Sequence, residues 1–188
     1  MGAPYENLLT YKFSVAIHDL TVEFCRRFIL GYMSSLGTKP DTRTADQMDQ
    51  AARSCKQNIV EGASSMRTSL KTAIVLTGVA RSSIEELLTD YKDFLRQRKL
   101  TIWQKDSPKA MEVREKIGKV ISFVSDLSNL SSLSLPESPE DAGNLLLTLC
   151  HQESYLLHKQ IDKMEQKLIN EGGYSENLLK RRREKRGY

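Results

Sequence analysis

The sequence predicts an all-α protein: an up-and-down bundle of helices with an additional inserted helix and a basic C-terminal tail. Apolar residues recur at three- and four-residue intervals along most of the chain, which is the spacing of one face of a helix. Alternating apolar and polar runs bounded by hairpin turns, the pattern of strands, do not occur. The 188 residues, 39% hydrophobic and 28% charged, suit one folded domain. We place this domain at residues 1–177 and the tail at 178–188.

The first two helices follow from their apolar rows. The first is predicted over residues 8–36, because one face stays apolar until the glycine and proline that precede residue 41 interrupt the pattern. That face carries Leu9, Phe13, Ile17, Leu20, Phe24 and Phe28. The second helix is predicted over residues 45–66, with Thr44 and Gln47 as a capping box at its start. Its row consists of Met48, Ala52, Cys55, Ile59 and Ala63.

The next two helices begin at predicted serine caps. Ser69 is the N-cap of a helix over residues 69–98, whose inner face carries Leu70, Ile74, Ile84, Leu88, Tyr91 and Leu95. Ser107 followed by Pro108 is the favoured order of cap and first-turn proline and predicts a helix over residues 108–127. The apolar face of that helix carries Met111, Ile117, Val120, Ile121, Val124 and Leu127.

A last long helix is predicted over residues 139–170, after a serine-rich linker. Ser138 before a proline repeats the cap signal, and Gly172 with Gly173 ends the pattern. Amphipathic helices of this length bury their apolar faces by packing together, and short connections make neighbouring helices antiparallel. The sequence leaves open whether residues 108–127 or 139–170 form the fourth helix of the bundle.

Hydropathy and cysteine usage indicate the expected compartment. Stretches without a charge, such as 72–80, 127–136 and 142–152, are shorter than the roughly 18 residues of a membrane span. The N-terminus lacks the basic and apolar regions of a secretory signal, so we expect a cytoplasmic protein without membrane contact. The three cysteines are far apart and odd in number, which fits neither a disulfide framework nor a zinc site. We expect reduced, buried side chains at Cys25, Cys55 and Cys150.

Sequence patterns of catalysis and metal binding are missing. The chain has no Glu-x-x-His pair, no glycine-rich phosphate loop, no His-Glu-x-x-His and no nucleophile elbow. Its histidines are His18, His151 and His158. The last two share a helix face and supply two metal ligands at most. We therefore predict no enzymatic activity, no cofactor and no metal, with a metal-dependent enzyme using His151 and His158 as a minor alternative.

Arg81 is the most informative single charge. Helical spacing places it among apolar residues on the inner face of the third helix. A buried guanidinium requires a partner, because an unpaired buried charge costs several kcal/mol. Glu85, one turn later, or Glu61 on the preceding helix could supply it. We interpret the group as a structural ion pair or a subunit contact, since no acid or base suited to a catalytic arginine accompanies it.

The second helix carries a row of mixed charge beside its apolar row. Asp49, Arg53, Lys56 and Val60 fall at helical spacing. One interpretation is a solvated face with an Asp49–Arg53 ion pair. The other is contact of this row with another subunit or with a phosphate backbone.

The C-terminal tail carries most of the positive charge. The chain has a net charge of +4, and residues 178–188 contribute +5, so residues 1–177 carry −1. A solvated end, a nucleic-acid-binding arm and an anionic membrane patch are the three interpretations, of which the membrane version lacks a lipidation motif or an apolar face. The candidate phosphate contacts are Lys180, Arg181, Arg182, Arg183, Lys185 and Arg186.

Three short motifs connect the chain to a known family. Residues 51–54 are Ala-Ala-Arg-Ser, residues 58–62 fit Asn-Ile-x-Glu-Gly, and residues 80–87 fit Ala-Arg-x-Ser-x-x-Glu-Leu. Over residues 5–100 the chain resembles the four-helix-bundle proteins encoded in intervening sequences of bacterial 23S rRNA genes. That family includes the accessory variability proteins of diversity-generating retroelements. Residues 145–173 resemble the final helix of longer members.

The resemblance implies a left-handed up-down-up-down bundle that assembles into a homopentamer and has no enzymatic activity. For the retroelement branch it also implies a positively charged surface that binds RNA and a reverse transcriptase. In this chain the body is nearly neutral and the charge is concentrated in the tail. We therefore expect an oligomeric scaffold that binds nucleic acid through the tail, aided by Arg53 and Lys56. The alternative is a protein-interaction module that binds no nucleic acid.

Overall fold

The computed structural model describes residues 3–31, 41–124, 127, 130 and 133–187. These residues form helices and connecting segments with no strand among them, so the all-α prediction is confirmed. After a 3-10 turn at Pro4–Asn7, the α-helices are α1 (Leu9–Phe24), α2 (Thr42–Ser65), α3 (Leu70–Gln97), α4 (Pro108–Phe123), α5 (Pro139–Glu171) and α6 (Tyr174–Arg186). None of the helices in the described ranges combines the length and apolar character needed to cross a membrane.

Helices α3, α4 and α5 begin where the sequence predicts, because a serine caps each one. In every case the serine Oγ accepts a hydrogen bond from a backbone N–H of the first turn, which otherwise has no partner within the helix. The three pairs are Ser69 with Thr72 N at 3.2 Å, Ser107 with Ala110 N at 3.3 Å, and Ser138 with Asp141 N at 3.3 Å.

Helix α2 begins three residues earlier than predicted. The cap is Asp41, whose Oδ1 accepts a hydrogen bond from Thr44 N at 3.1 Å. Hydrogen bonds from the side chain and from the backbone N–H of Thr44 lower the pKa of the Asp41 carboxyl group. The proposed capping box at Thr44 and Gln47 is therefore wrong, because an aspartate three residues before Thr44 already supplies the acceptor.

The ends of two helices differ from the prediction. The first helix continues beyond Phe24 as a π-helical segment, Cys25–Leu30, and its predicted end at Leu36 lies outside the described residues. Helix α4 ends at Phe123 instead of 127. Two residues assigned to its apolar face, Met111 and Val120, are exposed, because α4 packs against its neighbours through one face only and these two residues lie outside that face.

The four helices α1, α2, α3 and α5 contact one another in a closed circuit. Helix α1 packs on α2, α2 on α3, α3 on α5, and α5 on α1. Helix α4 packs on α5 and α1 from outside this circuit. The residues predicted as a tail belong, up to Arg186, to α6, which contributes no buried residue. Of the two candidates for the fourth helix, residues 108–127 and 139–170, the second is therefore the one that closes the circuit, because α5 packs on both α1 and α3.

Aromatic residues fill one end of the core. The Phe24 ring lies 5.1 Å from the Tyr91 ring and 4.7 Å from the Phe94 ring. The Thr21 hydroxyl donates to the Ile17 carbonyl at 2.6 Å, so the Tyr91 hydroxyl donates to Thr21 Oγ1 at 2.8 Å. Tyr91 is therefore fully buried with its polar atom satisfied.

Candidate functional site

Helix α6 is the candidate site that the charge pattern indicated, and Gly172 determines its direction. Gly172 has a φ of 72°, a conformation that a residue with a Cβ adopts at a cost. The backbone N–H of Gly173 donates to Glu176 Oε2 at 2.8 Å, and Asn177 Nδ2 donates to the Glu171 carbonyl at 2.9 Å. These contacts end α5, start α6 at a fixed angle and hold the junction between them.

The six cations of α6 are all exposed. Among the described residues, no carboxylate lies within ion-pair distance of any of them. A helix advances about 1.5 Å per residue, so the six charges occupy about 9 Å of helix axis and surround it on all sides. They are Lys180, Arg181, Arg182, Arg183, Lys185 and Arg186.

The start of α6 lies beside the turn between α2 and α3. A groove of about 530 Å³ separates the two, and Met66, Arg67, Lys167 and Arg181 are among its lining residues. Arg67 therefore extends the positive surface of α6 onto the body of the protein, whereas Lys167 Nζ lies 3.9 Å from Glu171 in the same groove. Arg67 was not predicted as a site residue, because nothing in a local pattern relates it to a helix more than a hundred residues later.

Arg53 and Lys56 are not brought to α6. Arg53 is exposed near the middle of α2, about 18 Å along the helix axis from its end at Ser65. Lys56 Nζ lies 2.9 Å from His18 Nδ1, so the lysine is already engaged by α1. The structure thus separates these two residues from the cations with which the sequence analysis grouped them.

His18 connects the mixed row of α2 to α1. Its Nδ1 accepts from Lys56, so the neutral ring carries its proton on Nε2, which donates to Asp49 Oδ1 at 3.3 Å. Burial and the positive charge of Lys56 lower the pKa of His18, against the opposing effect of Asp49. Asp49 therefore serves this contact between helices, and the predicted Asp49–Arg53 ion pair does not form.

Arg81 does pair with Glu85, but near the surface. Its Nε lies 3.8 Å from Glu85 Oε1, and its side chain is 41% exposed. Ser154 of α5 joins them: its hydroxyl donates to Glu85 Oε1 at 2.6 Å and lies 3.4 Å from Arg81 Nε. Glu61 is exposed and is not the partner. The expectation of a buried Arg81 is wrong, because the buried face of α3 at this level is formed by Thr77, Ala80 and Ile84 and Arg81 lies at the edge of that face.

Glu153 is the buried charge that the sequence analysis missed. It is 0% exposed, and no hydrogen-bond partner for either carboxylate oxygen exists among the described residues. Burial raises the pKa of Glu153 well above its usual value, so the side chain is stable in the core as the neutral acid. Its position was visible: Glu153 follows Leu149 by four residues and precedes Leu157 by four, on one helix face.

The histidines and cysteines do not form a metal site. Within the described ranges, no three or more histidine, cysteine, aspartate or glutamate side chains are placed to hold a metal ion. His151 faces a cavity beside Lys92, while His158 Nδ1 lies 3.7 Å from Asp162. The cysteines are buried and unpaired, as predicted, and burial raises the pKa of Cys25 to about 12.

Comparisons of the chain with protein-family models, with curated protein sequences and with solved structures found no match. The three motifs at residues 51–54, 58–62 and 80–87 therefore carry the family resemblance by themselves. The charges and geometry of α6 and its surroundings are therefore the observations from which a function can be inferred.

Proposed function

We propose that the protein is a non-enzymatic scaffold that binds single-stranded RNA through α6. The observation that carries the proposal is the cluster of six exposed, unpaired cations on α6, with Arg67 beside it. Cations that neutralise phosphates release condensed counterions, which drives association with a nucleic acid. Because residues 1–177 are nearly neutral, α6 is the part of the protein where a polyanion gains the most electrostatic binding energy.

The first turn of α6 favours a single strand over a duplex. Tyr174 is exposed and shares a helix face with Leu178 and Arg181, which follow it by four and seven residues. An exposed aromatic ring beside cations gives an unstacked base a surface on which to stack. RNA single strands present such bases, and A-form duplexes do not.

We propose further that α1, α2, α3 and α5 form a left-handed up-down-up-down four-helix bundle, with α4 as the inserted helix. The closed circuit of contacts among these four helices supports it. The bundle would assemble with copies of itself, a homopentamer by the family resemblance, and a retroelement reverse transcriptase is the partner protein that the resemblance implies. Val75 and Val79, 64% and 42% exposed one turn apart on α3, support a contact with another chain.

The proposal is tested by the salt dependence of RNA binding. Fluorescence anisotropy with a labelled single-stranded RNA should give a slope of log affinity against log salt of about −4 if all six cations contact phosphates. Replacing the six cations by glutamine, which keeps helix propensity, should remove both the slope and most of the affinity. The matched control is the triple substitution of Arg181, Arg182 and Arg183 by lysine, which preserves charge and should keep the slope.

Equal RNA binding by the glutamine variant and the wild type would overturn RNA binding by α6. The alternative function, a module that binds only protein, would then be favoured by capture of a reverse transcriptase that survives nuclease treatment. Assembly is tested separately by light scattering. A stable monomer would contradict the oligomeric scaffold and leave RNA binding by α6 unaffected.

A further inference from the structure

A half-open cavity of about 630 Å³ lies at the end of the molecule formed by α3, α4, the first half of α5 and the segment before α4. Its volume is in the range of small-molecule sites. The residues that give it chemical character are Lys92, Trp103, Lys105, Arg114, His151 and Tyr155. Along α5, Tyr155 lies about 24 Å from the residues that precede α6, so the cavity is separate from the RNA surface proposed above.

The lining carries positive charge without compensation. Lys92, Lys105 and Arg114 come from three different parts of the chain, and no aspartate or glutamate lines the cavity. None of the three forms an ion pair with a described carboxylate. Three cations that line one cavity without an acid give it a positive potential, which attracts an anion.

The side chain of Arg114 is positioned by the backbone. Arg114 Nε donates to the Ala110 carbonyl at 3.3 Å, and its terminal nitrogen donates to the Lys105 carbonyl. These bonds fix the plane of the guanidinium and tie Lys105 to α4. A guanidinium with a fixed plane is suited to bidentate recognition of phosphate oxygens.

His151 responds to the same field. Partial burial and the positive charge of Lys92, with a smaller contribution from Lys105, lower the pKa of His151, although Glu85 opposes them. The neutral imidazole offers one donor and one acceptor at the cavity wall. The positive charge of the lining therefore also affects the pKa of a neighbouring imidazole.

The Trp103 indole forms another part of the wall, and the backbone that carries it is anchored. The backbone N–H of Trp103 donates to Asn144 Oδ1 at 2.8 Å, and Asn144 Nδ2 donates to the Thr101 carbonyl at 2.7 Å. Asn144 is buried, so these bonds fix the segment before α4 against α5. Lys109 Nζ lies over the Trp103 ring at 5.2 Å and Lys159 Nζ over the Tyr155 ring at 5.8 Å, so a planar ligand ring would stack on the opposite face of either side chain.

We propose that this cavity binds a nucleoside monophosphate, with the phosphate at Lys92, Lys105 and Arg114 and the base against Trp103. The phosphate matches a site with three cations and no acid. The base matches the aromatic surface of Trp103 in the same wall. A free nucleotide and the terminal nucleotide of an RNA strand present the same chemistry, and both are included in the test.

Trp103 is the only tryptophan of the chain, so its fluorescence reports on the cavity alone. Titration with AMP should give a saturable change in emission, with a matching heat in calorimetry. Adenosine and inorganic phosphate, each lacking half of the recognised chemistry, should bind about tenfold more weakly or less. The terminal nucleotide is tested by comparing a short RNA with and without a 5′-phosphate, and a preference for the phosphorylated RNA that AMP abolishes identifies that source.

Variants locate the binding. Arg114→Gln should weaken AMP binding about tenfold or more. Lys92→Gln, at an exposed position where the fold is not at risk, should weaken it in the same direction. The matched control is Arg96→Gln, which removes an exposed cation of α3 paired with Asp93 at 2.9 Å and should bind AMP as the wild type does.

The α6 glutamine variant should also bind AMP normally, and Arg114→Gln should keep RNA binding by α6. The two proposals can therefore fail independently. Absence of both a fluorescence change and a heat at millimolar AMP would overturn the nucleotide site. Equal binding of AMP by Arg114→Gln, Lys92→Gln and the wild type would also overturn it.

Discussion

The first half of α5 and the whole of α6 lie close together in the chain and differ in almost every physical property. Most side chains of α5 between Ala142 and Leu157 are buried, whereas α6 buries none. The second half of α5 and the glycine junction lie between them. The same residue type therefore has different consequences: Leu149 is 0% exposed and Leu179 is 51% exposed. Stability depends on the first region, and the second remains available for binding.

The largest expected effect comes from matched leucine truncations in the two regions. Leu149→Ala removes a fully buried side chain and should lower the free energy of unfolding by about 2–5 kcal/mol. Leu179→Ala should change it by less than about 0.5 kcal/mol. Urea denaturation followed by circular dichroism measures both. Similar losses for the two variants would show that α6 is packed and would remove the contrast.

A second prediction concerns the acid in the core of α5. Glu153→Met replaces an unpartnered buried carboxyl group by an apolar side chain of similar length and should raise the free energy of unfolding at neutral pH by about 1–3 kcal/mol. Urea denaturation at pH 5 and pH 7.5 is the measurement. Destabilisation at both pH values would mean that Glu153 has a partner.

The pH dependence has a defined sign. The pKa of Glu153 is raised by burial in the folded protein, while an unfolded glutamate titrates near about 4.3. The folded state therefore keeps the proton of Glu153 to a higher pH than the unfolded state does. The contribution of this proton to stability is complete below the unfolded pKa and is lost as pH rises through the folded pKa. Wild-type stability should fall across this window by up to about 1.4 kcal/mol per pH unit. Glu153→Gln should abolish that slope while keeping a buried polar group.

The smallest expected effect is at the edge of α5, where Arg81 meets Ser154. The Arg81 side chain is 41% exposed, so Arg81→Ala leaves Glu85 accessible to water and should cost roughly 0.5–1 kcal/mol. Thermal unfolding measures it, with Arg96→Ala as a matched exposed arginine on the same helix. A loss of about 3 kcal/mol or more would place Arg81 among the buried ion pairs and extend the buried region of α5 to this edge.

The sequence predicted the starts of the helices better than the burial of individual side chains. Ser69, Ser107 and Ser138 were identified as caps because capping depends on residues within one turn. The failure at Glu153 has a different cause: the buried face of α5 was sought among apolar residues only, and an acid at the same helical spacing was not considered. Helical spacing alone, applied without regard to residue type, places Glu153 on the buried face between Leu149 and Leu157.

The sequence by itself determined where α3, α4 and α5 begin and that the fold belongs to the all-α class, because caps and apolar spacing act over a few residues. It also determined that the positive charge is concentrated near the C-terminus. Only the tertiary structure decided which side chains meet. Lys92, Arg114 and His151 belong to three helices, and Arg67 approaches α6 from the α2–α3 turn. Such neighbours are created by packing between distant segments, for which no local pattern in the sequence exists.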